Sequence, residues 1–270
     1  MIISDLHTAL LPYLEATPNK QVFVLTDANV ASCYPTLIGK YPHCILPAGD
    51  HNKSLHSVEL VWQFLIENGA TRDALLLNIG GGMITDLGGF VAATYMRGIR
   101  CVNIPTSLLA MVDASTGGKT GINILGLKNL VGTFTQPSAT LIYPPFLNTL
   151  SENEILSGYA EMLKHGLIAD PAHFYALLAI ELQMPYSELF APLLSDSIQV
   201  KRKIVSADFQ EKGLRKALNF GHTIGHAIEE SYAVQGRTVA HGYCVLWGMV
   251  AELYLSVIKM GCPRNVLTQM

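Results

Sequence analysis

The sequence predicts an α/β domain over residues 1–150 followed by an all-helical domain over residues 151–270. Three features predict it. Short apolar and β-branched runs alternate with helical spacing through the first half, which favours a mostly parallel sheet with helices on its faces. Those runs are continuously apolar, as in strands covered on both sides. Near Leu150 the strand-like runs stop, and helical periodicity takes over to the last residue.

The runs Val22–Asp27, Cys44–Pro47, Ala74–Ile79, Cys101–Ile104 and Thr140–Tyr143 are the expected strands. Ser57–Asn68 and Asp86–Met96 carry helical spacing between them. Beyond a boundary at Pro144–Ser151, helices are expected over Glu152–Ala169, His173–Leu182, Leu189–Asp208, Lys216–Tyr232 and Gly242–Lys259. The most apolar segment, Gly242–Met260, is broken by Glu252 and Lys259. A bilayer span needs roughly 20 apolar residues, so this segment is expected to be a buried helix and no membrane partner is expected.

Bulk properties narrow the function. Half of the 270 residues are apolar and 14% are charged, enough to bury a sizeable core. The net charge is −3 without a basic tract, which excludes the concentrated positive footprint that nucleic acid requires. Cys33, Cys44, Cys101, Cys244 and Cys262 are scattered without a CxxC pair, as expected for reduced thiols in the cytoplasm. The first residues, MIISDLHTAL, carry no secretory signal pattern.

Gly80, Gly81 and Gly82 follow the Ala74–Ile79 run and open a helix that also contains Asp86, Gly88 and Gly89. Without Cβ atoms, such a turn lets a phosphate approach the backbone at a helix N-terminus. The other reading is a tight turn that allows close helix–sheet packing. Asp86 either caps the helix or touches a ligand. Lys119 lies in the glycine-rich stretch Thr116–Gly121, an unusual setting for a plain charged surface.

Three segments of the second half place polar residues on apolar helices. Glu161 and Lys164 are i,i+3 and share a face; taken alone, they read as a solvent-facing ion pair. His222 and His226 are i,i+4, a metal-ligand spacing, but Thr223 stands where a zincin has glutamate. His241 precedes the last apolar segment. Each histidine alone reads as an ordinary core or surface residue. Two or three imidazoles with one carboxylate match a catalytic zinc site with an open position. Arg97, Lys119, Lys128, Lys201 and Arg215 suit a substrate carrying phosphate and carboxylate, or are solvated surface charges.

The segments Gly80–Thr120, Gly158–Gly166, Asn219–Ala227 and His241–Gly242 closely resemble 3-dehydroquinate synthase, of the sugar-phosphate cyclases, in order and spacing from Val22 onward. The resemblance implies a Rossmann-like NAD-binding domain, a helical metal- and substrate-binding domain, and a site in the cleft between them. It implies that Glu161, His222 and His241 are ligands of a divalent metal, zinc or cobalt, with His226 not a ligand but either supporting the ligands or handling protons. It places Asp113, Lys119, Asn129, Lys164, Lys201, Arg215, Asn219 and His226 against the substrate, a phosphorylated sugar acid. Arg97 is expected to reach the site of the partner in a homodimer. Expected NAD contacts are Gly49, Asp50, Lys53, Gly81, Gly82, Asp86, Thr106, Ser107, Lys119, Lys128, Phe146 and Thr149, with Asp27 and Asn29 on the adenosine side.

The implied reaction converts 3-deoxy-D-arabino-heptulosonate 7-phosphate to 3-dehydroquinate and phosphate. It runs by transient oxidation, β-elimination, reduction and intramolecular aldol closure, so NAD is used catalytically. Asn219 and His226 favour this reaction over that of a 2-deoxy-scyllo-inosose or 2-epi-5-epi-valiolone synthase. The pattern is not matched everywhere. Asp50 replaces a glutamate, Asn153 an arginine, and Asn123–Asn129 a loop with His and Pro. The family's further C-terminal helices, with one more substrate lysine, are expected after Met270. A chain truncated there is expected to be less soluble and weaker in activity than a full-length relative, or an inactive homologue.

Overall fold

A computed structural model describes residues 1–237 and 239–270, with Lys20 described by its backbone alone. Among the described residues there are seven strands: β1 (Val22–Asp27), β2 (His43–Leu46), β3 (Leu75–Gly80), β4 (Arg100–Pro105), β5 (Lys119–Ile124), β6 (Leu127–Phe134) and β7 (Ala139–Thr140). The helices of the first half are α1 (Leu6–Glu15), α2 (Ala28–Cys33), α3 (Pro35–Ile38), α4 (Leu55–Glu67) and α5 (Gly82–Thr94). Then follow α6 (Glu152–Ala169), α7 (Pro171–Leu178), α8 (Tyr186–Ala207), α9 (His222–Val234), α10 (His241–Met260) and α11 (Arg264–Gln269).

Five strands form one parallel sheet in the order β2-β1-β3-β4-β7. Side chains alternate across a strand, so its apolar run feeds two cores. Val22, Val24, Leu75, Leu77, Ile79, Val102 and Ile104 enter one core. Phe23, Leu25, Leu76 and Cys101 enter the other, beneath α4 and α5. The first core continues into Phe174 and Leu177 of α7 and Phe190, Leu194 and Ile198 of α8. The helical half therefore shares the first core, and it meets the first half chiefly at the turns that follow β4 and β7.

The expected α/β and helical halves are present, with four corrections. The Thr140–Tyr143 strand shrinks to Ala139–Thr140, and Ile142 makes an isolated bridge to Ile2. Residues around Lys119 form an antiparallel hairpin, β5–β6, closed by Leu125 and Gly126 at positive φ. Its outer strand exposes Leu127, Leu130 and Phe134, so no buried alternation betrays it in the sequence. The expected Lys216–Tyr232 helix is split into a 3-10 turn, Leu214–Asn219, and α9. Gly221 causes the break, with φ +79 and no room for a Cβ against Val245 O and Met249.

Helix α10 is not the buried helix expected. One face packs on α9 and α6, while Trp247, Val250, Tyr254, Ile258 and Met260 are exposed. By length and composition it is also long and apolar enough to cross a membrane. Its approach to α9 is close because both helices lack side chains at the crossing. A Cβ on Gly248 would lie 1.9 Å from Gly221 O, and one on Gly225 2.8 Å from Cys244 O. This crossing sets the distance between His222 and His241. Gly248→Ala is expected to force the helices apart, lower stability by about 1–3 kcal/mol and weaken metal binding. Urea denaturation and a zinc titration check both.

Candidate active site

Helix α6 begins with a capping box in which Ser151 and Glu154 satisfy each other's backbone N–H groups. From that start its inward face carries Glu161 and Lys164, both 1% exposed and in ion-pair contact. The pair is thus buried, and the solvent-facing reading is overturned. Neither Glu161 oxygen accepts a well-formed hydrogen bond. Burial raises its carboxyl, but Lys164 and the His222 and His241 rings together hold it below its usual range.

His222 at the start of α9 and His241 at the start of α10 turn towards this carboxylate. Their Nε2 atoms lie 3.4 and 3.8 Å from Glu161 Oε1. His226, one turn further along α9, sets its ring edge-on to that of His222 at 5.3 Å and tilted against that of His241 at 5.8 Å. The three histidines can offer ring nitrogens within 4.8 Å of one another. Of these three histidines, however, only His222 and His241 come within ion-pair distance of Glu161. Burial, with Lys164 nearby, brings His222 down to about 4, so its imidazole is neutral and able to ligate. Burial opposes charge on His241, but the Glu229 hydrogen bond and the Glu161 charge outweigh it and raise this group. Glu229 itself falls to about 2: burial is outweighed by its bonds to His241 and Lys128.

Around this centre lies a group of cations, with Lys201 and Arg215 buried and Lys119 half-exposed. Lys201 Nζ is 2.5 Å from Asp113 Oδ1. Burial disfavours the Asp113 anion, yet Lys201 and Lys164 hold its carboxyl well below the usual range. Arg215 is 2% exposed and donates to Phe209 O at 2.6 Å. Asp208 fixes this turn by accepting from the backbone N–H groups of Lys212, Gly213 and Arg215. Burial and the neighbouring Arg215 and Lys201 bring Lys119 down to about 8. Lys119 pairs with Glu211, which also accepts from Asn219 Nδ2 at 2.7 Å. A cleft of about 610 Å³ opens beside Glu211 and Asn219.

Of the residues expected to contact NAD, Thr106 and Ser107 lie at the glycine turn with Gly81 and Gly82. Gly81 is the N-cap of α5 and supplies no side-chain cap. A Cβ on Gly81 would meet Ser107 Oγ at 3.4 Å, and one on Gly82 would meet Ala114 at 3.3 Å. Thr106 is buried and its N–H donates to Gly80 O. Asp86 is no cap: it lies within α5 and accepts from Lys53 Nζ at 2.9 Å. Burial pushes its carboxyl up, against the pull of Lys53. Lys53 Nζ is also 3.8 Å from Asp50, which lies 3.5 Å from Lys128 Nζ. Gly49 has φ +105. Asp27 spends its carboxylate on capping α2, accepting from the N–H groups of Asn29 and Val30. Thr149 meets the Tyr34 hydroxyl at 2.9 Å. Phe146 is 2% exposed, its ring edge-on to Tyr34 and Tyr143.

Two expected site residues stand apart. Arg97 is exposed at positive φ after α5 and makes no hydrogen bond or ion pair among the described residues. Asn129 is exposed on β6, held by its N–H to Asn123 Oδ1. Three residues were not expected. Glu211 and Glu229 sit in charged, polar stretches whose sequence gives no sign of what they face. His165 is fully buried beside Lys164, with Nε2 3.6 Å from Asp113. Its position in Gly158–Gly166 was the available signal, since a histidine on a buried face needs a partner.

The 3-dehydroquinate synthase N-terminal family matches residues 43–157, and the 3-dehydroquinate synthase C-terminal family matches residues 158–270. A 3-dehydroquinate synthase of Parabacteroides distasonis is 46% identical over 276 residues, covering 100% of this chain and 78% of that protein. One of Streptococcus pneumoniae is 44% identical over 260 residues, covering 92% and 72%. Among solved structures, 2-epi-5-epi-valiolone synthase from Streptomyces hygroscopicus, with NAD+ and Zn2+ bound, superposes with a TM-score of 0.81 at 29% identity, covering 93% of this chain and 72% of its own. A 2-deoxy-scyllo-inosose synthase complexed with carbaglucose-6-phosphate, NAD+ and Co2+ shares the fold, with a TM-score of 0.85 at 23% identity, covering 99% and 74%. Two family matches that together span residues 43–270, and relatives at 44–46% identity, place this chain in the 3-dehydroquinate synthase family.

Proposed function

We propose that this chain converts 3-deoxy-D-arabino-heptulosonate 7-phosphate to 3-dehydroquinate and phosphate, in the cytoplasm and as a homodimer. The observation that carries the reading is Glu161, buried between two imidazoles and beside Lys164, with the neighbouring Asp113 paired to Lys201. A reduced compartment is supported by five unpaired cysteines. The division of labour is residues 1–150 for the dinucleotide and residues 151–270 for metal and substrate.

The chain's own groups fit both cofactors. Glu161, His222 and His241 form a carboxylate–imidazole set of the kind that takes zinc or cobalt, and Glu161 has two buried oxygens without hydrogen bonds. The Gly81–Gly82 turn, with Ser107 and Ala114 where side chains would otherwise reach, suits a dinucleotide phosphate on the N-terminus of α5. When bound, NAD supplies hydride transfer and the metal supplies Lewis acidity.

The remaining work falls to positioned charge. Substrate and product stand at the same oxidation level apart from the lost phosphate, so NAD is not consumed. Lys119, Lys164, Lys201 and Arg215 hold the carboxylate and phosphate of the substrate, with Asp113 fixing Lys201 at 2.5 Å. Asn219 and Glu211 fix Lys119 from the other side. His226 lies beside the ligand histidines without contacting Glu161 and handles the proton removed before phosphate departs. Such a site works mainly by orientation and electrostatic stabilisation. Lys53, Asp86, Asp50 and Lys128 line the dinucleotide side.

Arg97 contributes across the dimer, a reading supported by its exposed, strained turn. Mixed Arg97→Ala and His222→Ala chains, each inactive alone, are then expected to regain turnover after joint refolding. Each mixed dimer would hold one complete site. No recovery in a verified mixed dimer contradicts the exchange. The rival cyclase reactions are tested by offering each sugar phosphate separately; release of phosphate from the heptulosonate alone supports the proposal.

A further inference from the structure

We infer that Glu229 is a positioning residue that fixes the His241 ring towards the metal position and ties it to Lys128 of the β5–β6 hairpin. This rests on the metal reading above. Glu229 lies two turns after His222 on α9, with its side chain 17% exposed. One oxygen, Oε2, is 3.4 Å from His241 Nδ1. The opposite ring nitrogen, Nε2, faces Glu161 Oε1 at 3.8 Å. When Nδ1 carries the proton and donates it to Glu229, the Nε2 lone pair points at the Glu161 side. A carboxylate behind a histidine in this way fixes tautomer and ring orientation and makes the ligand more basic.

The second oxygen binds elsewhere. Oε1 accepts from Lys128 Nζ at 2.8 Å, and Lys128 also lies 3.5 Å from Asp50. Asp50 is 3.8 Å from Lys53, and Lys53 is 2.9 Å from Asp86 in α5. Charges of alternating sign thus run from His241 to the helix that opens at the glycine turn. Glu229 is the only member of that line, among the described residues, that touches a proposed metal ligand. An exposed Lys–Glu pair by itself contributes little. Here the carboxylate is shared between a hairpin and a ligand, so its loss disturbs both. Gly225 and Gly248 keep α9 and α10 close enough for Glu229 to span the gap to His241.

The test is zinc affinity of the purified chain by chelator competition, with NAD affinity and the visible spectrum of the cobalt-loaded protein measured alongside. Glu229→Gln is expected to weaken zinc by about 10–100-fold, to shift the cobalt bands, and to weaken NAD. Glu229→Asp, which keeps the charge but withdraws it, should fall between; it carries the test if circular dichroism shows the Gln variant unfolded. Lys128→Met should weaken NAD while zinc stays within about threefold of the parent value, below the usual effect of such partners. Unchanged zinc affinity and cobalt bands in both Glu229 variants, with metal lost in His222→Ala, overturn the role of Glu229. Metal retained in His222→Ala overturns the ligand reading, and this inference with it.

Discussion

His222→Ala is expected to leave the chain without stoichiometric zinc and to reduce turnover to background. Its Nε2 is the imidazole nitrogen nearest Glu161, at 3.4 Å, and its burial already keeps the ring neutral, with a pKa of about 4. Losing a partner that merely supports a ligand typically costs about 10–100-fold in metal affinity, so loss of a ligand should cost more. His226→Ala is the informative companion. It lies one turn away on the same helix but is not within ion-pair distance of Glu161, so it should keep zinc and lose turnover. Metal content after gel filtration separates the two variants. Zinc retained by His222→Ala and lost by His226→Ala would exchange their roles.

The second large effect concerns stability. Glu161 and Lys164 are both 1% exposed, so either one alone would be a buried charge without its partner. Glu161→Leu and Lys164→Met are each expected to destabilise the metal-free chain by about 3–5 kcal/mol. The double variant Glu161→Leu/Lys164→Met replaces the pair with apolar side chains of similar size, and should recover most of that loss. Urea denaturation of the metal-free proteins reads the cycle. Two single effects that simply add in the double variant would show that the pair is not coupled. Recovery in the double variant would show that the buried pair is there for its chemistry, since an apolar pair would hold the fold as well.

The sheet and most helices were legible because burial on both faces writes a mainly apolar run into β1, β3 and β4, interrupted only by residues such as the buried Asn78 and Asn103. The glycine turn was legible as three consecutive glycines directly after the Ala74–Ile79 run. What escaped depends on tertiary geometry. Glu161 and Lys164 have the spacing of a surface ion pair, and only the packing of α7, α8 and α10 around α6 buries them. His222 and His226 are indistinguishable by spacing; the break at Gly221 and the crossing of α10 bring one of them closer to Glu161. The hairpin β5–β6 lies largely outside the core, so its side chains follow no buried pattern. Glu211 and Glu229 occupy polar stretches and acquire partners only when Lys119, Asn219, His241 and Lys128 arrive from other segments. The α10 face bearing Trp247 and Tyr254 reads as core in the sequence because apolar content alone does not say which side is covered.

The most direct test follows phosphate from 3-deoxy-D-arabino-heptulosonate 7-phosphate, with zinc-loaded chain and NAD far below the substrate concentration. The account predicts many phosphates released per NAD, 3-dehydroquinate formed in equal amount, and no lasting absorbance of NADH. A chain that binds NAD and zinc yet releases no phosphate, or that accumulates NADH in step with substrate consumed, would contradict it.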